Sequence, residues 1–191
     1  MKRIALLGAT GSIGRQAREI IDAHPDLELV AAASGSQPID GLAPLTQTGG
    51  DLVELLERAE PDVVLNAVVG FAGLPATLWA LEHGVTLALA NKESLVAAGE
   101  LALDALARGG GLMVPVDSEH SAAFQCLEGR KLETVDSLVL TASGGPFRGR
   151  IRDECPFVTH THLPARDRDV DDNHLKAAFL AGEKGDRFPV R

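Results

Sequence analysis

Three glycines set at intervals of three, Gly8, Gly11 and Gly14, occupy the junction between an apolar run at residues 3–7 and a stretch with helical spacing of its apolar residues at 12–23. A second apolar run follows at residues 27–33. Strand, glycine turn, helix and strand in that order predict a βαβ unit, whose two strands lie parallel in one buried sheet. In this setting each glycine has a separate use. Gly8 permits the tight turn, Gly11 lets backbone approach a ligand, and Gly14 lets helix and strand pack closely. The helix begins at the same place and offers unpaired N–H groups and the positive end of its dipole to an anion. The context therefore predicts a pyrophosphate-binding turn, Thr10, Gly11, Ser12 and Ile13 being the residues at the phosphates. The spacing is GxxGxxG rather than GxGxxG, and a ligand-free glycine turn is the alternative.

The alternation continues. Residues 34–50, rich in Gly, Pro, Ser, Thr and Gln, read as a loop. Beyond it lie a helix near 51–59, a strand at 62–66, a helix near 74–82, a strand at 85–90, a helix over 94–107 and a strand at 112–116. This predicts an α/β, Rossmann-like, doubly wound and mostly parallel sheet over residues 1–116. A helix near 119–127 and a strand at 135–141 read as the start of an incomplete α+β catalytic portion, residues 117–150. Residues 151–191 crowd charges and prolines, with helical character only near 172–181, and stand as an unassigned tail.

Composition narrows the partners. A formal charge of −9 and a pI near 5.1 argue against nucleic acid, whose phosphates demand a basic stripe. No apolar run is long enough to span a bilayer, and the apolar stretch after Lys2 and Arg3 is too short for a secretory signal. Cys126 and Cys155 form no CxxC pair, which fits incidental thiols in a reducing cytoplasm.

Candidate chemistry clusters at strand ends, where open α/β sheets hold their ligands. Asn91, Lys92, Glu93 and Ser94 end one strand; Asp117, Ser118, Glu119 and His120 end the next. Asp117 and Glu119 could converge on one hard cation, Mn2+ or Mg2+, leaving Ser118 for an oxygen-rich substrate. The blander alternative is a helix cap at Ser94 and a solvated acidic turn. A glycine-rich turn beginning at Ser143 suits a phosphate or hydroxyl ligand. At the end of the second strand, Gly35, Ser36 and Gln37 contain no carboxylate to hold a ribose 2'-hydroxyl and no cation to attract a 2'-phosphate, so NADP is favoured over NAD only moderately.

Taken together, residues 8–14, 62–67, 87–99 (LALANKESLVAAG), 115–125 (PVDSEHSAAFQ) and 140–147 (LTASGGPF) resemble successive motifs of the 1-deoxy-D-xylulose-5-phosphate reductoisomerases. The resemblance implies an NADPH- and divalent-metal-dependent oxidoreductase that converts 1-deoxy-D-xylulose 5-phosphate to 2-C-methyl-D-erythritol 4-phosphate in isoprenoid biosynthesis, cytoplasmic and with room for a homodimer. It implies that Thr10, Gly11, Ser12, Ile13, Gly35, Gln37, Asn91 and Glu93 face the cofactor. It places Lys92, Ser118, Glu119 and Ser143 at the phosphosugar substrate, and Asp117 and Glu119 on the metal. Lys92, Asp117 and Glu119 then carry the catalytic role.

Two departures are expected. The family normally has a further βα unit between the second strand and the strand at residue 62, where this chain reads as loop. Beyond Gly149 the resemblance is expected to stop, and His160 and His162 read as surface polar sequence rather than metal ligands. A shortened, non-catalytic nucleotide-binding relative and another Rossmann aldehyde or semialdehyde oxidoreductase are the competing readings.

Overall fold

A computed structural model of the protein describes residues 1–129, together with Lys131, Thr134, Ser137, Leu138, Phe188 and Pro189. The chain divides into two compact units, Met1–Asp117 and Ser118–Arg191.

The first unit is one six-stranded sheet in the order β3-β2-β1-β4-β5-β6, each neighbouring pair parallel. Its strands are β1 (Lys2–Leu7), β2 (Leu27–Ser34), β3 (Leu45–Thr48), β4 (Val63–Asn66), β5 (Thr86–Leu89) and β6 (Met113–Pro115), and its helices α1 (Ser12–Ala23), α2 (Leu52–Ala59), α3 (Leu74–Glu82) and α4 (Lys92–Gly109). Parallel strands buried on both faces need apolar residues at successive positions, and the last four residues of β1 are all buried. Alternate side chains of β1 enter different cores: Ala5 and Leu7 join Leu55, Leu56, Leu81 and Leu87, whereas Leu6 joins Ala17 of α1, Ala32 and Ile39. Helices on both faces make the sheet doubly wound, as the sequence pattern predicts.

The structure departs from the sequence reading at β3 and in α4. Residues 34–50 contain strand β3, paired in parallel with β2 from Ala31↔Leu45 to Ser34↔Thr48. An edge strand pairs on one side only, so Leu-Thr-Gln-Thr does not carry the continuous apolar run of a central strand. With the expected helix α2 it forms a βα unit in place of the loop read over residues 34–50, and residues 35–44 cross from β2 to β3 with Ile39 anchored in the α1-side core. Helix α4 starts at Lys92, two residues ahead of Ser94, because Asn91 supplies the cap. Ala98, at φ −143° and ψ 35°, kinks it.

Described by itself, the second unit contributes α5 (Ser118–Leu127) and a two-stranded antiparallel pair, β7 (Ser137–Leu138) with β8 (Phe188–Pro189). The expected helix near 172–181 lies outside the described residues. No helix among the described residues is long and apolar enough to cross a membrane.

Candidate functional site

After β1 the chain runs β1-α1-β2 toward one sheet edge, then returns to place β4 on the other side of β1. That reversal opens a crevice between β1 and β4 at the carboxyl ends of the strands, the place where doubly wound sheets bind ligands. Along this edge stand residues 35–37 after β2, the glycine turn after β1, residues 67–73 after β4, Asn91, Lys92 and Glu93 after β5, and Asp117 beyond β6. At about 4.8 Å per strand, β2 to β5 spans roughly 14 Å.

The glycine turn is built for close approach. Gly8 has φ +85°, and a Cβ there would come 2.5 Å from the Ala67 carbonyl oxygen and 3.1 Å from the Val68 nitrogen. A left-handed turn and contact with a neighbouring backbone both require glycine at this position. The Gly11 N–H donates to the Gly8 carbonyl at 3.0 Å, closing the turn. Gly11, the N-cap of α1, is extended and has no side chain with which to cap the helix, and no acidic residue sits in the first turn. Ser12 and Ile13 are exposed and Thr10 is half-buried. A helix start without a cap leaves N–H groups to be satisfied by water or ligand, so this turn fits the pyrophosphate of a dinucleotide. Arg15, which sequence reasoning missed, donates from its guanidinium to the Thr10 carbonyl at 2.7 Å and braces the turn from one helical turn away.

At the end of β2, Ser34 is buried and its hydroxyl donates to the Gln37 carbonyl, folding Gly35, Ser36 and Gln37 into an exposed turn. No atom lies within 4 Å of a Cβ placed on Gly35. The turn has room for the adenosine end of a dinucleotide and carries no cation of its own.

Asn91 is 1% exposed. Its Oδ1 accepts from the Ser94 N–H at 3.1 Å and from the Ser94 hydroxyl, which makes Asn91 the cap of α4 and corrects the assignment of that role to Ser94. Its Nδ2 donates to the carbonyls of Val68 and, at 2.7 Å, Gly70. Lys92 is exposed on the first turn of α4 and Glu93 is half-buried there. A lysine opposes the dipole at a helix start, so Lys92 is better suited to an anionic ligand than to holding the helix.

Asp117 is half-buried just beyond β6, and the Val116 N–H donates to the Leu89 carbonyl at 2.9 Å, which holds this strand end beside that of β5. Ser118, exposed, and Glu119 belong to α5 in the second unit. Ser143 lies outside the described residues, as do His160 and His162. Among the described residues no three His, Cys, Asp or Glu side chains gather as metal donors. Of the two expected metal ligands the first unit holds only Asp117, and its described residues do not by themselves fit a divalent metal. Asn66, Gly73 and Thr77 were also missed. Their only sequence signal is a lone asparagine ending the apolar run of β4.

The 1-deoxy-D-xylulose 5-phosphate reductoisomerase family model matches residues 4–51 and 45–99, and the model of that enzyme's C-terminal domain matches residues 113–165. The chain belongs to this reductoisomerase family. The break in the first match falls at β3, after the helix-free connection from β2. The second match runs past Gly149 to residue 165, which corrects the expectation that the likeness stops there; prolines and charges in this part mask the similarity when it is read by short motifs alone. The reductoisomerase of Geobacillus kaustophilus (strain HTA426) is 43% identical across 83% of this chain and 50% of its own length. That of Rhodococcus jostii (strain RHA1) is 48% identical across 82% and 46%. The chain therefore spans about half the length of the curated relatives it matches. Among solved structures, the reductoisomerase from Zymomonas mobilis in complex with NADPH aligns with a TM-score of 0.65 and 31% identity, over 94% of this chain and 54% of that one. A reductoisomerase in complex with NADPH, fosmidomycin and magnesium aligns with a TM-score of 0.61 and 34% identity, over 68% and 40%.

Proposed function

We propose that this chain binds NADPH across the carboxyl ends of β2, β1, β4 and β5, as the cofactor-binding half of a reductoisomerase acting on 1-deoxy-D-xylulose 5-phosphate. The observation that carries the reading is the Gly8–Gly11–Gly14 turn at the point where the sheet reverses, with an uncapped helix start facing the crevice. The NADPH held by the Zymomonas mobilis relative supports it. The pyrophosphate lies on Thr10, Gly11, Ser12 and Ile13, and the adenosine end on Gly35 and Gln37. The reacting end lies toward Asn91 and Glu93, and NADPH supplies hydride there when bound. Lys92 receives the anionic phosphosugar together with Ser118, Glu119 and Ser143. Asp117 contributes one carboxylate, with Glu119 its partner, toward Mg2+ or Mn2+; the described residues do not complete a metal site. The working compartment is the cytoplasm and the assembly a homodimer, both by the family's likeness.

Titration of NADPH fluorescence against wild type and Gly11→Val tests the cofactor site. Gly11 is extended, so its φ and ψ suit valine, but a Cβ there stands 3.3 Å from the Gly8 carbonyl oxygen and the branched side chain lies over the turn. Binding should be lost, and equal binding by both proteins would remove the turn from the site. A nucleotide-binding relative without turnover is the second reading. Consumption of NADPH by the purified chain with 1-deoxy-D-xylulose 5-phosphate and manganese separates the two.

A further inference from the structure

Residues 67–73 form the wall of the crevice on the β4 side, and two buried asparagines hold them. Asn66, 0% exposed, donates from Nδ2 to the Gly73 carbonyl at 2.8 Å and to the Thr77 hydroxyl at 3.0 Å, while its Oδ1 accepts from the Val68 N–H at 3.2 Å. Its own carbonyl accepts from the N–H groups of Ala90 and Asn91 at 3.0 and 3.1 Å. Asn91 holds the same wall from the other side through the carbonyls of Val68 and Gly70. Gly73 closes over both amides: a Cβ there would lie 3.0 Å from Asn66 Nδ2 and Oδ1 and 3.1 Å from Asn91 Cγ.

Burying amides is favourable only when their hydrogen bonds are made, and here two from each side-chain amide go to one short segment. That segment also abuts the glycine turn, since Gly8 meets Ala67 and Val68. Yet it presents Val69 and Phe71 to solvent, 85% and 63% exposed. A backbone fixed this firmly beneath exposed apolar side chains is a prepared surface rather than a hydrophobic anchor.

We propose that Asn66, with Thr77 behind it, is a positioning residue that fixes residues 67–73 as a wall of the nicotinamide half of the cofactor site and sets affinity for that half alone. The inference rests on the proposed NADPH reading. Its direction comes from the sheet order. In doubly wound folds the adenosine ribose lies at the end of β2, here on the far side of β1 from β4, so the other half of the dinucleotide lies against residues 67–73. Thr77 is wholly buried in α3, so a change in its hydroxyl reaches the crevice through Asn66.

The test uses the 191-residue chain and two ligands, NADPH and adenosine 2',5'-bisphosphate, which lacks the nicotinamide half. Thr77→Val keeps the shape and removes the acceptor; Thr77→Ser keeps the hydroxyl; Asn66→Asp keeps the shape but replaces the donor with an acceptor. Thr77→Val and Asn66→Asp should weaken NADPH roughly five- to tenfold or more, leave adenosine 2',5'-bisphosphate within about twofold of wild type, and Thr77→Ser should restore NADPH binding. Equal weakening of both ligands means a merely structural role and overturns the proposal, as does NADPH binding unchanged in both variants. Should Asn66→Asp not fold, the Thr77 pair decides alone. Wild type that binds neither ligand overturns the underlying cofactor reading instead, and the positioning role with it.

Discussion

A Cβ on Gly14 would collide with the carbonyl oxygen of Gly8 and stand 2.8 Å from Cα and C of Ala9. The two glycines are six positions apart, and the Gly11 N–H bonds the Gly8 carbonyl between them. The GxxGxxG spacing is accounted for by this turn, which presses the first turn of α1 directly onto the backbone that leaves β1.

Gly14→Ala should therefore push α1 off the turn. Overpacking a site bounded by backbone costs about 1–3 kcal/mol. Urea unfolding followed by the fluorescence of Trp79, the sole tryptophan in a chain without tyrosine, reads this as a lower midpoint, and NADPH binding should fall with it. A variant as stable as wild type would mean that the helix can slide away without loss.

Cofactor choice should respond to charge at the end of β2. Gly35, Ser36 and Gln37 are exposed and uncharged, so a 2'-phosphate gains nothing there beyond hydrogen bonds. Ser36→Lys places a cation on that turn, and a partly exposed ion pair contributes up to about 1 kcal/mol. We expect NADPH to bind several-fold more tightly at low salt, NADH to be unaffected, and the gain to shrink as salt rises. An equal gain for NADH would place the 2' position elsewhere.

Much of this was legible because the strong signals are local. Four central strands are apolar runs, the glycine turn stands between a strand and a helix, and α1 and α3 begin and end where their spacing predicts. What escaped depends on partners distant in sequence. Strand β3 is ordered by pairing with β2, and Leu45 to Thr48 alone do not announce it. Asn91 takes the cap of α4 because residues 68–70 lie over it to receive its amide. Asn66 shows as one polar letter at the end of VVLN, and its partners Gly73 and Thr77 lie seven and eleven positions on.

Glu60 marks a different trade. It ends α2 at φ 44° and ψ 59°, the one residue other than glycine with positive φ among those described. The left-handed region costs a residue with a Cβ about 1–2 kcal/mol, partly offset because glycine loses more entropy on folding. Glu60→Gly should raise stability by about 0.5–1 kcal/mol, seen as a higher urea midpoint with an unchanged slope. A drop in stability would show that the glutamate side chain supports the helix end by more than the strain it brings.

Metal binding, if the chain has it, should depend on Asp117. The hydrogen bond from Val116 to Leu89 sets this carboxylate at the end of β6, beside the end of β5 from which Asn91 and Lys92 follow. A hard cation takes six or more oxygen ligands, and two carboxylates, Asp117 and Glu119, leave most of that shell to water. Manganese should therefore bind weakly, with a dissociation constant on the order of 10⁻⁴ to 10⁻³ M, the range of sites with few charged ligands. A chain with a net charge of −9 also attracts divalent cations diffusely, and that background has to be separated from a site. Asp104 on α4 is an exposed carboxylate on the same unit, so Asp104→Asn removes the same charge without touching the strand end. Calorimetry at moderate salt should show manganese binding weakened about tenfold or more by Asp117→Asn, a loss of about 1.4 kcal/mol, and little changed by Asp104→Asn. Equal effects from the two variants would reduce the binding to net charge, and Asp117 would then have no place in a metal site.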